Sequence, residues 1–172
     1  KIMSSVAMDR ASKIAFALNR KHYYESWKET AHYIREDVMK NGWKEDLQTF
    51  TQTYCNSELD ASLLLMAEYG FIEAGDPKFV KTVLAIRNSL FRDGLVYRYI
   101  NPDNFGKPSS SFTICTFWLV QALFSIGMKE EAREIFGDLL SYGNHLGLFS
   151  EDIDFKTKRL LGNFPQAYSH LA

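Results

Sequence analysis

Apolar residues recur at helical spacing through most of the chain. Met3, Val6, Ala7, Ile14, Ala15 and Leu18 fall on one face of a first helix. Tyr24, Trp27, Ala31, Ile34 and Val38 step by three and four along a second, with Gly42 placed to close it as a C′ residue. The pattern predicts a third helix over Leu59–Tyr69, with Asp60 near its start and Gly70 after it. A fourth opens at Asp76-Pro77, an N-cap residue followed by proline at the first helical position. Its core stripe is Phe79, Val80, Val83, Leu84, Ile86, the stem of Arg87, and Leu90. The segment from Ser111 to Ile126 is apolar nearly all round, which predicts a buried fifth helix stopped by Gly127. Ala132, Ile135, Phe136, Leu139 and Leu140 mark a sixth, closed by Gly143-Asn144, and a seventh is predicted near Phe164-Pro165.

The connections alternate in length. Asn19–His22, Gly70–Asp76 and Gly127–Lys129 are short turns, whereas 43–58, 91–110 and 145–163 are long. Antiparallel helices joined in this way carry every long stretch at the same end. The long stretches recur about every fifty residues, a helix-pair period. They are not low-complexity, and long ordered loops on a rigid scaffold are where function concentrates. The chain therefore reads as all-α: helical hairpins of a toroid or solenoid with one decorated end. Length and period give three hairpins, too few to close a ring. The chain also opens in helical pattern without a clear N-cap and stops at Ser169-His170-Leu171-Ala172 inside another helical pattern. Domains usually end in exposed loops, so residues 1–172 read as a fragment of one larger domain.

Composition narrows the function class. The 172 residues are 46% hydrophobic and 24% charged, enough to bury a core. Net charge is −1, and basic residues do not interleave with aromatic ones, so nucleic acid is not the expected partner. Apolar runs such as Leu63–Ala67 fall far short of a membrane span. Aromatics at 15% fit a large core, sugar-stacking surfaces, or both. Cys55 and Cys115 lack metal-ligand spacing and read as two buried free thiols of a reducing, cytoplasmic compartment, with a disulfide between them as the alternative. His22, His32, His145 and His170 lack metal spacing too, and no glycine-rich phosphate loop is present, so neither metal nor cofactor is expected.

Two segments carry candidate chemistry. Gly147-Leu-Phe-Ser-Glu-Asp-Ile-Asp154 puts three carboxylates in a long loop, where mutual repulsion tunes acid and base groups. The structural alternative is a solvated acidic turn, or a helix N-cap at Ser150. Asp93-Gly-Leu-Val-Tyr-Arg-Tyr99 is short and β-prone, with Arg98 between Tyr97 and Tyr99. A guanidinium fork suits vicinal sugar hydroxyls and tyrosines supply stacking faces; the alternative is an arginine–carboxylate pair among core tyrosines. In the first long loop Trp43 and Tyr54 are further candidates for sugar contact, with a packing plug as the alternative for Trp43.

Together these strings resemble a known family. Gly147–Asp154, Leu161-Gly-Asn-Phe-Pro-Gln-Ala-Tyr-Ser-His-Leu-Ala172, Leu59-Asp-Ala-Ser-Leu-Leu64, Asp93–Tyr99, Phe117-Trp-Leu-Val120 and Val6-Ala-Met-Asp-Arg-Ala11 occur in an order similar to the C-terminal part of glycoside hydrolase family 15. That family contains glucoamylases, glucodextranases and bacterial and archaeal α,α-trehalases. The resemblance implies an (α/α)6 toroid, here its second half, with the active site at the long-loop end. It implies inverting hydrolysis of α-glucosidic bonds, with Glu151 as general base and Arg98 holding the glucosyl unit. The general acid would lie upstream of Lys1, so the isolated chain would be inactive. Many bacterial members carry Glu-Gly-x-Phe where this chain has Pro108-Ser-Ser-Ser-Phe112, which leaves trehalose and α-glucan ends both open as substrates. The uncovered edges of a half ring predict association with the N-terminal half of the same protein or a homo-oligomer. The competing reading is a non-catalytic helical scaffold for protein partners.

Overall fold

The computed structural model describes residues 1–104 and 106–172. Helix α1 (Ile2–Ala17) and helix α2 (Lys21–Asn41) form a hairpin through the turn at Leu18–Arg20. Their seam is made of small side chains. Ser5, Ser12 and Ala15 are buried on α1, Ala31 and Val38 on α2, and the Ser5 hydroxyl donates to the Ala31 carbonyl at 2.9 Å. The periodicity predicts a different α1 face, yet Met3, Ile14 and Leu18 are 55%, 61% and 65% exposed. The reason is geometric: α2 covers a narrow stripe of α1, and the helix pair closes on serine and alanine because small residues allow the closest approach.

Helix α2 ends at Gly42 without the left-handed turn expected of a C′ glycine, since its φ is −82°. Glycine is needed there for space: a Cβ would sit 2.8 Å from the Val38 carbonyl oxygen and 3.5 Å from the Phe50 ring. A short hairpin follows, strands β1 (Trp43–Lys44) and β2 (Thr49–Phe50). Where the pattern predicts an α-helix over Leu59–Tyr69, a 3-10 helix spans Ala61–Met66, capped by the Asp60 carboxylate on the Ser62 amide at 2.7 Å. Ala61, Leu63, Leu64 and Met66 are all buried, so this short segment is wrapped on several sides and tertiary packing decides its winding.

Helix α3 (Pro77–Leu90) starts as its sequence predicts, with Asp76 capping the Lys78 amide and Pro77 in the first turn. Phe79, Val83, Ile86 and Leu90 are fully buried. The chain leaves α3 directly into strands β3 (Phe91–Arg92) and β4 (Leu95–Val96), joined by Asp93-Gly94 with φ of 49° and 79°. Two positive-φ residues in a two-residue loop match the twist of a hairpin, which is why Asp-Gly serves there. Ser111–Phe112 are strand β5 rather than the start of the fifth helix. Helix α4 (Thr113–Ser125) is buried on nearly every side, and Gly127 turns the chain at φ 92° into helix α5 (Lys129–Ser141). Ala132, Ile135 and Leu139 of α5 are buried, but Phe136 and Leu140 are exposed rather than core. Strands β6 (Asp152–Ile153) and β7 (Leu160–Leu161) and a four-residue helix α6 (Ala167–His170) complete the described chain.

The second and third long stretches meet at one end of the helices, where Ser110 bonds Asp152, whereas the β1–β2 hairpin of the first packs on the opening half of α3, the Phe50 amide donating to the Thr82 hydroxyl. Strand β6 pairs with β5 and with β7, which ties the segment after α5 to the start of α4. The Ala61 amide donates to the Arg98 carbonyl at 2.9 Å, which ties in the segment after α2. The main core lies between α3, α4, α5 and the 3-10 helix. A second cluster, Leu95, Phe117, Leu139, Phe149, Ile153 and Phe155, supports the loop end. Cys115 is buried, but Cys55 is exposed, contrary to the reading of two buried thiols; both are free. No helix among the described residues is long and apolar enough to cross a membrane.

Candidate active site

Glu151 sits where three segments cross. Its carbonyl accepts from the Thr113 amide at the start of α4, and its own amide donates to the Asn163 carbonyl, both at 2.9 Å. The side chain is fixed as firmly: Oε2 accepts from the Asn163 amide at 3.2 Å and from Asn163 Nδ2 at 2.8 Å. Gly162 makes this approach possible, because at φ +73° a Cβ would stand 3.0 Å from that same oxygen.

The three carboxylates of the loop separate. Asp152 is half-buried and accepts from the Ser110 hydroxyl at 2.6 Å. Burial pushes its carboxyl above the usual range, Ser110 draws it back, and the neighbouring Glu151 charge pushes it further up. Asp154 turns away to organise the connection between β6 and β7, accepting from the Thr157 amide at 2.7 Å and the Thr157 hydroxyl at 2.8 Å. These donors, the Thr157 amide first, hold it below the ordinary carboxylate value. Ser150 caps no helix; its hydroxyl donates to the Asp152 carbonyl instead.

Across from Glu151, Arg98 Nε donates to Asp60 Oδ1 at 2.8 Å, and the guanidinium carbon lies 5.9 Å from the centre of the Trp118 ring. Partial burial disfavours the guanidinium charge, but the hydrogen bond and charge of Asp60 more than offset it, leaving Arg98 more firmly protonated than usual. Next in the chain, the Tyr99 hydroxyl donates to Asp103 Oδ2 at 2.5 Å, which holds that hydroxyl protonated above its ordinary range.

Arg98 and Glu151 line one open cleft of about 460 Å³, together with Tyr99, Ser110, Phe112 and Asp152. The other aromatic candidates lie elsewhere. The Tyr97 ring packs 4.1 Å from the Phe155 ring, in the second core. Trp43 donates Nε1 to Glu45 at 2.6 Å and sets its edge against Phe50, in keeping with a packing role. Tyr54 donates its hydroxyl to Asp37 at 2.7 Å and borders a separate hollow of about 550 Å³ with Lys1, Gln52 and Asp60. Among the described residues no cluster of His, Cys, Asp and Glu forms a metal site. His170 serves the loop, accepting from the Phe149 amide at 3.0 Å.

The sequence pattern that defines glycosyl hydrolases family 15 matches residues 1–172. The chain belongs to this family. A trehalase of Mycolicibacterium smegmatis is 44% identical across 100% of this chain and 26% of its own length. A trehalase of Thermoplasma volcanium is 38% identical across 99% of this chain and 28% of its own. The chain thus spans about a quarter to three-tenths of the curated relatives it matches. Among solved structures, a glycosidase variant in complex with glucose superposes with a TM-score of 0.79 at 17% identity, over 96% of this chain and 47% of that one. A wild-type glycosidase gives 0.73 at 18% identity, over 86% and 42%. These likenesses establish the fold: the helical hairpins of the (α/α)6 toroid.

Within this family 15 chain, sequence reasoning passed over the residues that hold the candidates in place. Asp60 reads only as the start of a helix, though it is the partner of Arg98 from 38 residues away. Asn163 and Gly162 stand in a quoted motif without a role, and together they seat the Glu151 carboxylate. The available signal was Gly-Asn directly after a β-prone Leu160-Leu161, a turn dipeptide beside the acidic loop.

Proposed function

We propose that the polypeptide carrying this chain is an inverting glycoside hydrolase of α-glucosidic bonds, with trehalose as its substrate. The single observation that carries the site is the shared cleft of Glu151 and Arg98. The substrate rests on the curated relatives, trehalases at 35–44% identity along the chain; glucan ends are the alternative that the experiment resolves.

In this reading Glu151 is the general base. A base must be ionised and must present a free acceptor to water. Asn163 supplies two N–H donors to Oε2, which fix the plane of the carboxylate, while Oε1 accepts no hydrogen bond among the described residues. A water held at Oε1 attacks the anomeric carbon and gives its proton to Glu151. The glycosidic oxygen leaves from the opposite face and takes its proton from an acid outside this chain, expected upstream of Lys1. Such acid and base pairs stand roughly 6.5–9.5 Å apart to admit that water. Arg98 donates from its remaining N–H groups to hydroxyls of the bound glucosyl unit, and Tyr99 adds an aromatic lip. Because one catalytic group is supplied from elsewhere, the 172 residues alone are inactive. The exposed Met3 and Ile14 of α1, with Leu18 just after it, support packing against the rest of the same polypeptide or a second copy. The free thiols of Cys55 and Cys115 support a reducing, cytoplasmic location.

Glu151→Gln in the full-length protein keeps the Asn163 contact and removes the proton acceptor. Glucose release from trehalose is expected to fall about 10²–10⁴-fold, measured beside maltooligosaccharides. Retained activity overturns the assignment of Glu151, and faster release from maltooligosaccharides overturns trehalose.

A further inference from the structure

The Arg98 side chain is held on several sides by a network that begins at Asp60. Asp60 is 5% exposed, and its Oδ1 accepts both from the Ser62 amide, as the cap of the 3-10 helix, and from Arg98 Nε. The amide next to it, that of Ala61, donates to the Arg98 carbonyl at 2.9 Å. Backbone and side chain of Arg98 are thus clamped to two successive residues, with Trp118 beneath the guanidinium. Nε is the one guanidinium nitrogen that faces back along the side chain. Tying it to Asp60 fixes the plane of the group and leaves the outer fork to the cleft.

We infer that Asp60 is a positioning residue for sugar binding: it aims the Arg98 fork at the glucosyl hydroxyls and keeps it from folding onto Glu151 or Asp152. The inference rests on the proposed role of the shared cleft. A buried carboxylate is costly unless paired, so its use as a cap alone would be an extravagant choice where serine or asparagine caps as well. An arginine 38% exposed, with three carboxylates, Asp103, Glu151 and Asp152, lining the same cleft, has alternative partners unless its plane is locked.

The test uses the full-length protein and compares Asp60→Ser, Arg98→Ala, the double variant and Glu151→Gln. Serine retains the cap but is too short to hold Arg98 Nε as well, so Asp60→Ser is expected to unfold within about 3 °C of the parent. Its KM for trehalose is expected to rise about tenfold or more, in the same proportion to kcat as for Arg98→Ala. A merely structural defect would lower the active fraction, and with it kcat, while leaving KM unmoved. In the double variant the losses are expected not to multiply, because removing Arg98 removes what Asp60 positions. Asp60→Glu, which keeps the charge, recovers part of the loss. An unchanged KM in Asp60→Ser, or losses that multiply in the double variant, overturns the positioning role while Glu151→Gln and Arg98→Ala remain impaired. Full activity in those two variants overturns the cleft reading itself, and the inference with it.

Discussion

Helices α1 and α4 are both apolar on average, and they are used in opposite ways. Nine of the thirteen α4 residues are buried, among them Ile114, Phe117, Trp118, Leu119 and Leu123. On α1 only Ser5, Ser12 and Ala15 are, while Met3, Ile14 and Phe16 stand 55%, 61% and 68% exposed. The difference lies in the neighbours. The 3-10 helix, α3, α5 and the strands at the loop end surround α4, whereas α1 packs chiefly on α2. A hydrophobic pattern says which residues can be buried; the surrounding elements decide which are. In this chain the region around α4 is a finished core, and α1 offers an apolar face for something else.

The contrast breaks first on stability. Leu123 is fully buried in the main core, so Leu123→Ala removes a side chain and leaves a cavity. About 2.7–5 kcal/mol of unfolding free energy is expected to be lost, read from urea or guanidinium titration. A loss below about 1 kcal/mol would mean that the core around α4 repacks freely and is no more finished than α1. Ile14→Ala is the matched change on α1. In the 172-residue chain it is expected to move stability by no more than about 0.5 kcal/mol in either direction. In a polypeptide of the relatives' full length, where further helices cover that face, the same change is expected to cost about 2 kcal/mol or more. Equal effects in the two lengths would show that the face stays open to solvent.

The two regions also differ in how legible they were. Local signals were reliable where one segment decides its own shape. Asp76-Pro77 starts α3, and Asp93-Gly94 makes the tight hairpin. The alternation of lengths placed the second and third long stretches together, but not the whole of the first, whose β1–β2 hairpin packs on the opening half of α3. Inside β4 the strand period holds: Leu95 enters the second core and Val96 the main core, while Tyr97, just past the strand, packs against both. Long-range pairs left no such trace. Nothing within either segment marks Asp60 as the partner of Arg98, or Asn163 as the seat of Glu151, since both depend on how distant loops meet.

The smallest effect concerns a polar cluster at the loop end of the α1–α2 region. Asp37 Oδ2 accepts from Lys1 Nζ and from the Tyr54 hydroxyl, each at 2.7 Å, and Oδ1 accepts from Asn41 Nδ2 at 2.8 Å. These donors, Lys1 first and Tyr54 next, lower the Asp37 carboxyl from its ordinary value of 3.8 to about 2. A carboxyl whose folded-state value is depressed stabilises the fold above its unfolded value and loses that contribution as pH falls through the folded one. The stability difference between the parent chain and Asp37→Asn is therefore expected to be constant from pH 7 to about pH 4.5, then to shrink towards pH 2. The group is open to solvent, so added salt is expected to diminish the same difference. Leu123→Ala supplies the control, because the loss of buried apolar contact carries no proton and responds to neither variable. A difference for Asp37→Asn that stays flat from pH 5 to pH 2 would show that this cluster contributes no charge-dependent stability. The hairpin would then rest on its seam and on the packing of Val38, Ile2, Val6, Ile34 and Met39 with the main core.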